Sequence, residues 1–283
     1  MTQTDKNKSG LRVIVHSFFV VPFLIAAFVV LVFFMWKLLT WEPRNAEDYL
    51  SDVKTGGATK RWQAAFELSK LLVNKEEIPE SDRFVTEMLT TFKYAQYDPD
   101  ERVKQYLIRA MGQTRNPAFS EVLINSLADA NEGIVADVTY ALGLIGGKDV
   151  EYILIEMAGH SSALVRNRAT MGLGNMEGKN VSRILHILLH DSEANVKWSA
   201  AIALAKRGDD AGRDILLDLL NRSYLDKFVE VDSYEQSQAI LVAINAASIL
   251  NDPVLNEAIK KLGKDDKNMK IRNAAIKSLN QKI

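Results

Sequence analysis

Cysteine is missing from all 283 residues. Disulfides, thiolate metal sites and cysteine nucleophiles are thereby excluded, and the redox compartment is left open. Proline is scarce, with 6 residues, and histidine scarcer, with 4. Few low-complexity runs occur either, which argues against long disordered stretches. No charge of one sign dominates: 35 Lys and Arg stand against 36 Asp and Glu, for a formal net charge of −1. Nothing in that balance suggests a nucleic-acid partner. What is present, 47% hydrophobic and 25% charged residues, is ample for a core and ordinary for a folded protein.

One stretch departs from this average. Between Val13 and Leu39 the only charged residue is Lys37, and Phe18 to Trp36 carries none. At about 1.5 Å per residue, a helix of that length crosses a hydrocarbon core of roughly 30 Å. Pro22 lies near one end, where a kink is tolerable. Trp36 and Trp41 suit an aromatic belt at the far interface, and Pro43 ends the helix. A cleaved signal peptide is the competing reading. The apolar run exceeds the usual h-region of about 7–15 residues, and no small-x-small site follows it. The sequence therefore predicts a retained single-pass anchor contacting the bilayer through residues 13–39. Lys6, Lys8 and Arg12 before it, against Lys37, Arg44 and Lys54 after it, place the N-terminus in the cytoplasm and the large domain outside.

The rest of the chain is organised by a period of 31 residues. Apolar β-branched anchors recur at Val103, Ile134, Val165 and Val196. Four residues on stand Leu107, Val138, Ala169 and Ala200, and eight on stand Met111, Leu142, Leu173 and Leu204. Five before each anchor are Asp98, Asp129, His160 and Asp191, and one after are Lys104, Val135, Arg166 and Lys197. At about 100° per residue, positions 0, +4, +7 and +8 share one helix face, and in this chain that face is small or apolar. A helix pair cannot bury such a face alone, so neighbours must stack. Seven pairs are predicted from Asn45 onward, with the sixth anchored at Val242, Ala246 and Leu250 and the last at Ile271, Ala275 and Leu279. Gly146-Gly147, Gly178 and Gly208 are placed at helix ends, as are Gly112, Gly143 and Gly174.

The recurring pattern D-x4-V-[RK]-x2-A-x2-A-L-G resembles HEAT repeats of the short type, also found in phycobilin lyases. It stands as Asp129…Ile134…Val138…Ala141-Leu142-Gly143 and as Asp191…Val196-Lys197…Ala200…Ala203-Leu204. The resemblance covers residues 45–283 and is sharpest over 98–205. It implies an armadillo-like solenoid in which the aspartates and the following Arg or Lys bridge neighbouring turns as a ladder. Asp98, Asp129, Asp191 and Asp266, with Lys104, Arg166, Lys197 and Arg272, match those places. It also implies that the second helix of each pair lines the concave side.

Catalytic machinery is not evident. His186 and His190 share a helix face at a spacing able to hold a metal, but no third ligand accompanies them. Iron-binding deoxyhypusine hydroxylases, also built from HEAT repeats, use His-Glu pairs, and no histidine here is followed by glutamate. The glycines from Gly172 to Gly178 lack the preceding strand and Lys-Ser/Thr ending of a phosphate loop. No cofactor or metal site is expected. The more informative feature is the outward face, positions +2 and +6 of the second helices. Its ends are polar, whereas its middle carries Tyr140, Met171, Trp198, Ile202 and Ile244. An apolar, aromatic stripe inside a polar rim is how protein-binding surfaces look. Two aromatic-rich segments, Glu80–Tyr97 and Asn221–Ser233, are secondary candidates.

The sequence thus reads as an all-α, right-handed α-solenoid of about seven HEAT-like helix pairs preceded by one transmembrane helix. Residues 1–12 are a polar tail, 13–39 the anchor, 40–46 a linker and 47–283 the solenoid. The expected role is a non-enzymatic, protein-binding scaffold or accessory subunit of a membrane-protein complex, such as a transporter or envelope assembly. The alternative is a lyase-like or metal-dependent enzyme using the concave groove.

Overall fold

The structure is a computed structural model that describes residues 16–39 and 44–280. The N-terminal tail, Trp41, Pro43 and Gln281 lie outside the described residues. The chain forms two units, divided between Asn45 and Ala46. Among the described residues of both there are helices and no strand.

The first unit holds α1, Val21–Leu39, entered through one wide π-helical turn at His16–Val20. That turn directly precedes Pro22, which has no N–H to bond back to the preceding turn. Phe18–Leu38 is long and apolar enough to cross a membrane, and none of it is buried. Membrane spans and signal sequences share this length and composition.

The second unit is a stack of seven helix pairs among the described residues. They are α2 (Ala46–Thr55) with α3 (Ala58–Leu71), and α4 (Asp82–Ala95) with α5 (Glu101–Thr114). Next come α6 (Ser120–Asn125) with α7 (Glu132–Ile145), and α8 (Lys148–Met157) with α9 (Ala163–Leu173). Then follow α10 (Lys179–Leu188) with α11 (Ala194–Lys206), and α12 (Arg213–Leu219) with α14 (Ser233–Leu250). The strap between those two contains the single turn α13 (Arg222–Leu225), and α15 (Pro253–Asp265) with α16 (Met269–Asn280) ends the stack. Asn116 and Asp252 cap Pro117 and Pro253 starts, as their sequences indicate. The first helix of the third pair is broken: α6 is flanked by 3-10 turns at Pro117–Phe119 and Ser126–Ala128.

The 31-residue register marks what is buried. Val103, Ile134, Val165 and Val196 are at most 1% exposed, and so are the residues four and eight further on. The second helices α3, α5, α7, α9, α11, α14 and α16 each pack on the next. Their approach is set by small residues. An added Cβ at Gly112 would lie 2.7 Å from the Cα of Ala141, and at Gly143 2.6 Å from the Cα of Gly172. At Gly174 it would lie 2.9 Å from the Cβ of Ala203. Position +9 of α5, α7 and α9 therefore meets position +7 of the next second helix almost backbone to backbone. This corrects one sequence reading. Only Gly174 sits at a helix end, whereas Gly112 and Gly143 lie inside α5 and α7 because a neighbour occupies the space of a side chain.

The sixth repeat is a second correction. Val242 is 42% exposed, while Ile240, Ala243, Ile244 and Ala247 are wholly buried. Of the predicted set, Ala246 is buried and Leu250 half-buried against the core, but the centre of the buried face runs through Ile240, Ile244 and Ala247, two residues before the predicted anchor. Residues 239–244 of α14 are all apolar, so periodicity alone cannot choose its inward face.

The ladder is present with substitutions. Arg61 Nε donates to Asp98 Oδ2 at 2.6 Å, Lys104 Nζ to Asp129 Oδ2 at 2.7 Å, and Arg166 Nε to Asp191 Oδ2 at 2.8 Å. The other oxygen of each aspartate accepts an amide of its own loop, from Asp100, Asn131 and Glu193 respectively. One carboxylate thus joins two repeats and caps one turn. Between the third and fourth pairs the cation is replaced by Val135 and the aspartate by His160. Val135 packs on Val165, and His160 Nδ1 keeps only the capping bond, from the amide of Ser162 at 3.0 Å. Lys197 makes no ion pair among the described residues. At the last rung the sixth repeat has Ala243 in the cation's place, and Arg222 of the strap supplies a cation to Asp266, at 2.7 and 2.9 Å, while Arg272 donates to the Asp266 carbonyl.

Two outcomes are expected from this packing. Gly143→Ala forces α7 and α9 apart and lowers the unfolding free energy of the detergent-solubilised full chain by about 1–3 kcal/mol. An unchanged denaturation midpoint would show that the helices separate freely.

The second outcome concerns pH. Asp191 is held below the usual carboxylate range, foremost by its hydrogen bonds from Arg166. Burial raises Asp129 and Asp266, but the bonds from Lys104 and Arg222 and from their own loop amides outweigh it, so both also lie low. A lowered folded-state pKa gives stability that is complete above the unfolded value, about 3.9, and is lost as pH falls through the folded one. The melting temperature is therefore expected to drop below about pH 4, and Asp191→Asn to flatten that limb. Parallel acid limbs in both proteins would remove the Arg166–Asp191 rung from the account.

Candidate binding surface

Tyr140, Met171 and Ile202 project from α7, α9 and α11, where the 31-residue spacing repeats one outward direction. Together with Val242 of α14 they line a notch of about 200 Å³. Its floor is the close-packed seam itself, Gly143, Gly172, Gly174 and Ala203. Met171 and Val242 stay 39% and 42% exposed, so apolar surface is left in water there.

Two predicted members of the stripe stand elsewhere. Ile244 is wholly buried and does not reach the surface, because α14 turns two residues from the expected register. Trp198 is half-buried under the strap. Phe228 meets it edge-on with ring centroids 4.9 Å apart, and Tyr224 does so at 6.4 Å. The strap thus walls one side of the surface with aromatics, and Val229 and Tyr234 around it are 93% and 71% exposed. In the other aromatic segment, Phe84 and Phe92 are core residues of α4. Only Tyr94 and Tyr97 are exposed, beside a separate cavity of about 520 Å³ that holds the Arg61–Asp98 rung.

The charges around the notch were not legible as a group. The Arg168 guanidinium lies 5.4 Å from the centre of the Tyr140 ring, and its Nη1 is 3.8 Å from Met171 Sδ. Its Nε is buried without a hydrogen-bond partner. Lys206 stands at the rim. The nearby carboxylate of Asp137 is taken by Arg109, at 3.0 and 3.1 Å.

Among the described residues the histidines form no cluster. His186 Nε2 is 2.8 Å from Asp209 Oδ2, and His160 is the turn cap described above. Among the described residues no group of three or more His, Asp or Glu is arranged to hold a metal.

The repeats are HEAT repeats: the family model of that description matches residues 89–174 and 151–229. No curated protein is similar in sequence. A solved chain from the complex of CpcE and CpcF of phycocyanin lyase from Nostoc sp. is 16% identical. The match covers 86% of this chain and 90% of that one, with a TM-score of 0.59. Computationally designed armadillo repeat proteins for modular peptide recognition are 16% identical over 84% of this chain and 99% of theirs, with a TM-score of 0.41. Human deoxyhypusine hydroxylase in complex with glycerol is 14% identical over 83% of each chain, with a TM-score of 0.36. At such identities the likeness is one of fold, a repeat solenoid of a kind compatible with protein binding.

Truncating the strap contact tests this surface. Phe228→Ala removes an aromatic pair contributing about 0.5–1.5 kcal/mol beyond its buried area. The Trp198 emission is expected to shift to the red with a small loss of stability. An unmoved spectrum would show that the strap does not cover Trp198.

Proposed function

We propose that the chain is a single-pass membrane protein whose solenoid holds a protein partner at the bilayer. It acts as a non-enzymatic scaffold or accessory subunit of a membrane-protein assembly, of the transporter or envelope kind. The observation that carries this reading is the open apolar notch on the outward face of the second helices. Single exposed apolar residues are ordinary on any surface. Here Tyr140, Met171, Ile202 and Val242 converge from four helices on one concavity with Lys206 in its lining and Arg168 against the Tyr140 ring and Met171, which is the anatomy of a contact site. The unburied apolar helix at Phe18–Leu38 supports membrane attachment. The proposed boundaries are a polar tail at 1–12, the anchor at 13–39, a linker at 40–46 and the solenoid from 47. The N-terminus is proposed to lie in the cytoplasm and the solenoid outside.

The competing reading is a lyase-like or metal-dependent activity in the same groove, favoured by the likeness to the phycocyanin lyase chain. The notch is small for that purpose, since pockets enclosing drug-sized ligands run from about 300 to 1,000 Å³.

One purification separates the two. The tagged full chain, extracted in mild detergent from carbonate-washed membranes, is expected to bring down a defined protein set. Met171→Glu is expected to deplete that set at least tenfold without lowering the melting temperature. Undiminished recovery, or release of the chain by the carbonate wash, would overturn the proposal. A chromophore or stoichiometric metal carried by the purified protein would favour the enzyme.

A further inference from the structure

The notch also carries information about the chemistry of what it takes. Seen along α5, α7, α9 and α11, the outward positions +2, +3, +6 and +10 hold three cations, Arg109, Arg168 and Lys206, and one carboxylate, Asp137. Arg109 and Asp137 neutralise each other through a two-point contact. Arg168 and Lys206 are left, and neither has an ion-pair partner among the described residues. Lys206 lines the apolar concavity, and Arg168 is braced against two of its wall residues, over the Tyr140 ring and 3.8 Å from Met171 Sδ. A guanidinium stacked on an aromatic face and facing no carboxylate is poised for one, because charge-assisted contacts are about twice as strong as neutral ones.

Volume and charge together narrow the occupant. About 200 Å³ admits one aliphatic side chain, not a fused ring system or a helix. Two cations flanking that side chain ask for acidic groups close to it in sequence.

We infer that the notch takes an extended acidic segment of a partner protein, with one aliphatic side chain between Met171, Ile202 and Val242 and carboxylates on Arg168 and Lys206. This rests on the protein-binding reading above and adds to it the charge and shape of the ligand. The strap bounds the segment on the α11 side through the Trp198–Phe228 contact.

The test uses the full chain in detergent micelles and three fluorescein-labelled nonapeptides, read by fluorescence anisotropy. The first carries Glu and Asp around a central Leu. The second replaces the acids with Lys, and the third replaces the Leu with Ser. The first is expected to bind at least tenfold more tightly than either of the others, and more weakly as salt rises. Arg168→Gln combined with Lys206→Gln is expected to lower its affinity at least tenfold. Met171→Ala is expected to lower it several-fold with the salt dependence kept. Arg183→Gln, an exposed position on α10, is expected to change nothing. Equal or tighter binding of the Lys peptide, an unaffected double variant, or no binding of any peptide would overturn the inference. Lys-peptide binding that Met171→Glu abolishes would sink the charge assignment and leave the notch as a protein-binding site. Co-purifying proteins that survive Met171→Glu would sink the protein-binding reading itself.

Discussion

The closeness of one second helix to the next is the constraint on which the solenoid depends. At Gly112 on Ala141, Gly143 on Gly172 and Gly174 on Ala203, there is no room for another methyl group. Interiors packed at crystal-like density leave few alternatives once such contacts are made. With backbones this near, the apolar residues at 0, +4 and +8 interlock below the seam and the outward positions fan above it. The notch follows from the same geometry. Its floor consists of seam residues, so the surface is hollow where side chains are smallest, and its walls are the first large residues beyond. The packing solution and the candidate site are one feature seen from two sides.

The ladder ties consecutive repeats to one another through Arg61–Asp98, Lys104–Asp129 and Arg166–Asp191. Each aspartate is short enough to cap its own loop and still face the cation of the preceding repeat, which explains aspartate rather than glutamate at these places. The third rung shows which part can be given up. Val135 and His160 lose the ion pair together, an apolar contact with Val165 takes its place, and the capping bond stays. Partly exposed ion pairs contribute little, whereas a buried loop amide without an acceptor costs about 1–3 kcal/mol. The turn is therefore the indispensable half of the motif. At Asp266 the sixth repeat offers Ala243 rather than a cation, and Arg222 of the strap supplies one from outside the register.

Much of this was legible because period and chemistry coincide. Val103, Ile134, Val165 and Val196 recur at a fixed spacing, each with a small residue at +7, and only stacked helix pairs satisfy both. Legibility failed where one signal stood alone. The apolar run in α14 fits several faces, so Ile244 was read as outward and Val242 as inward, the reverse of what is found. Glycine at +9 suggested a helix end by composition, although tight packing gives the same residue. Trp198 falls in the outward stripe by its spacing, but nothing local announces that Phe228, from a strap with no counterpart in other repeats, lies across it. Arg168 and Lys206 are 38 residues apart in sequence, and only the fold brings both to the walls of one notch.

A notch of this size cannot hold a partner tightly by itself. Even very efficient small ligands gain about 1.5 kcal/mol per heavy atom at best, and larger ones far less, so one aliphatic side chain and two exposed charge contacts make a weak grip. A membrane anchor changes that arithmetic without changing a contact. Two proteins confined to one bilayer meet at an effective concentration set by the tether, and a weak site becomes well occupied. Under the proposed function a shallow and selective groove is what such a tether requires. Charge complementarity sets which segment enters and how quickly, confinement sets how often, and release stays easy. On that same proposal a deep cavity would duplicate the affinity that confinement provides, and it would open the glycine seam that keeps the helices together.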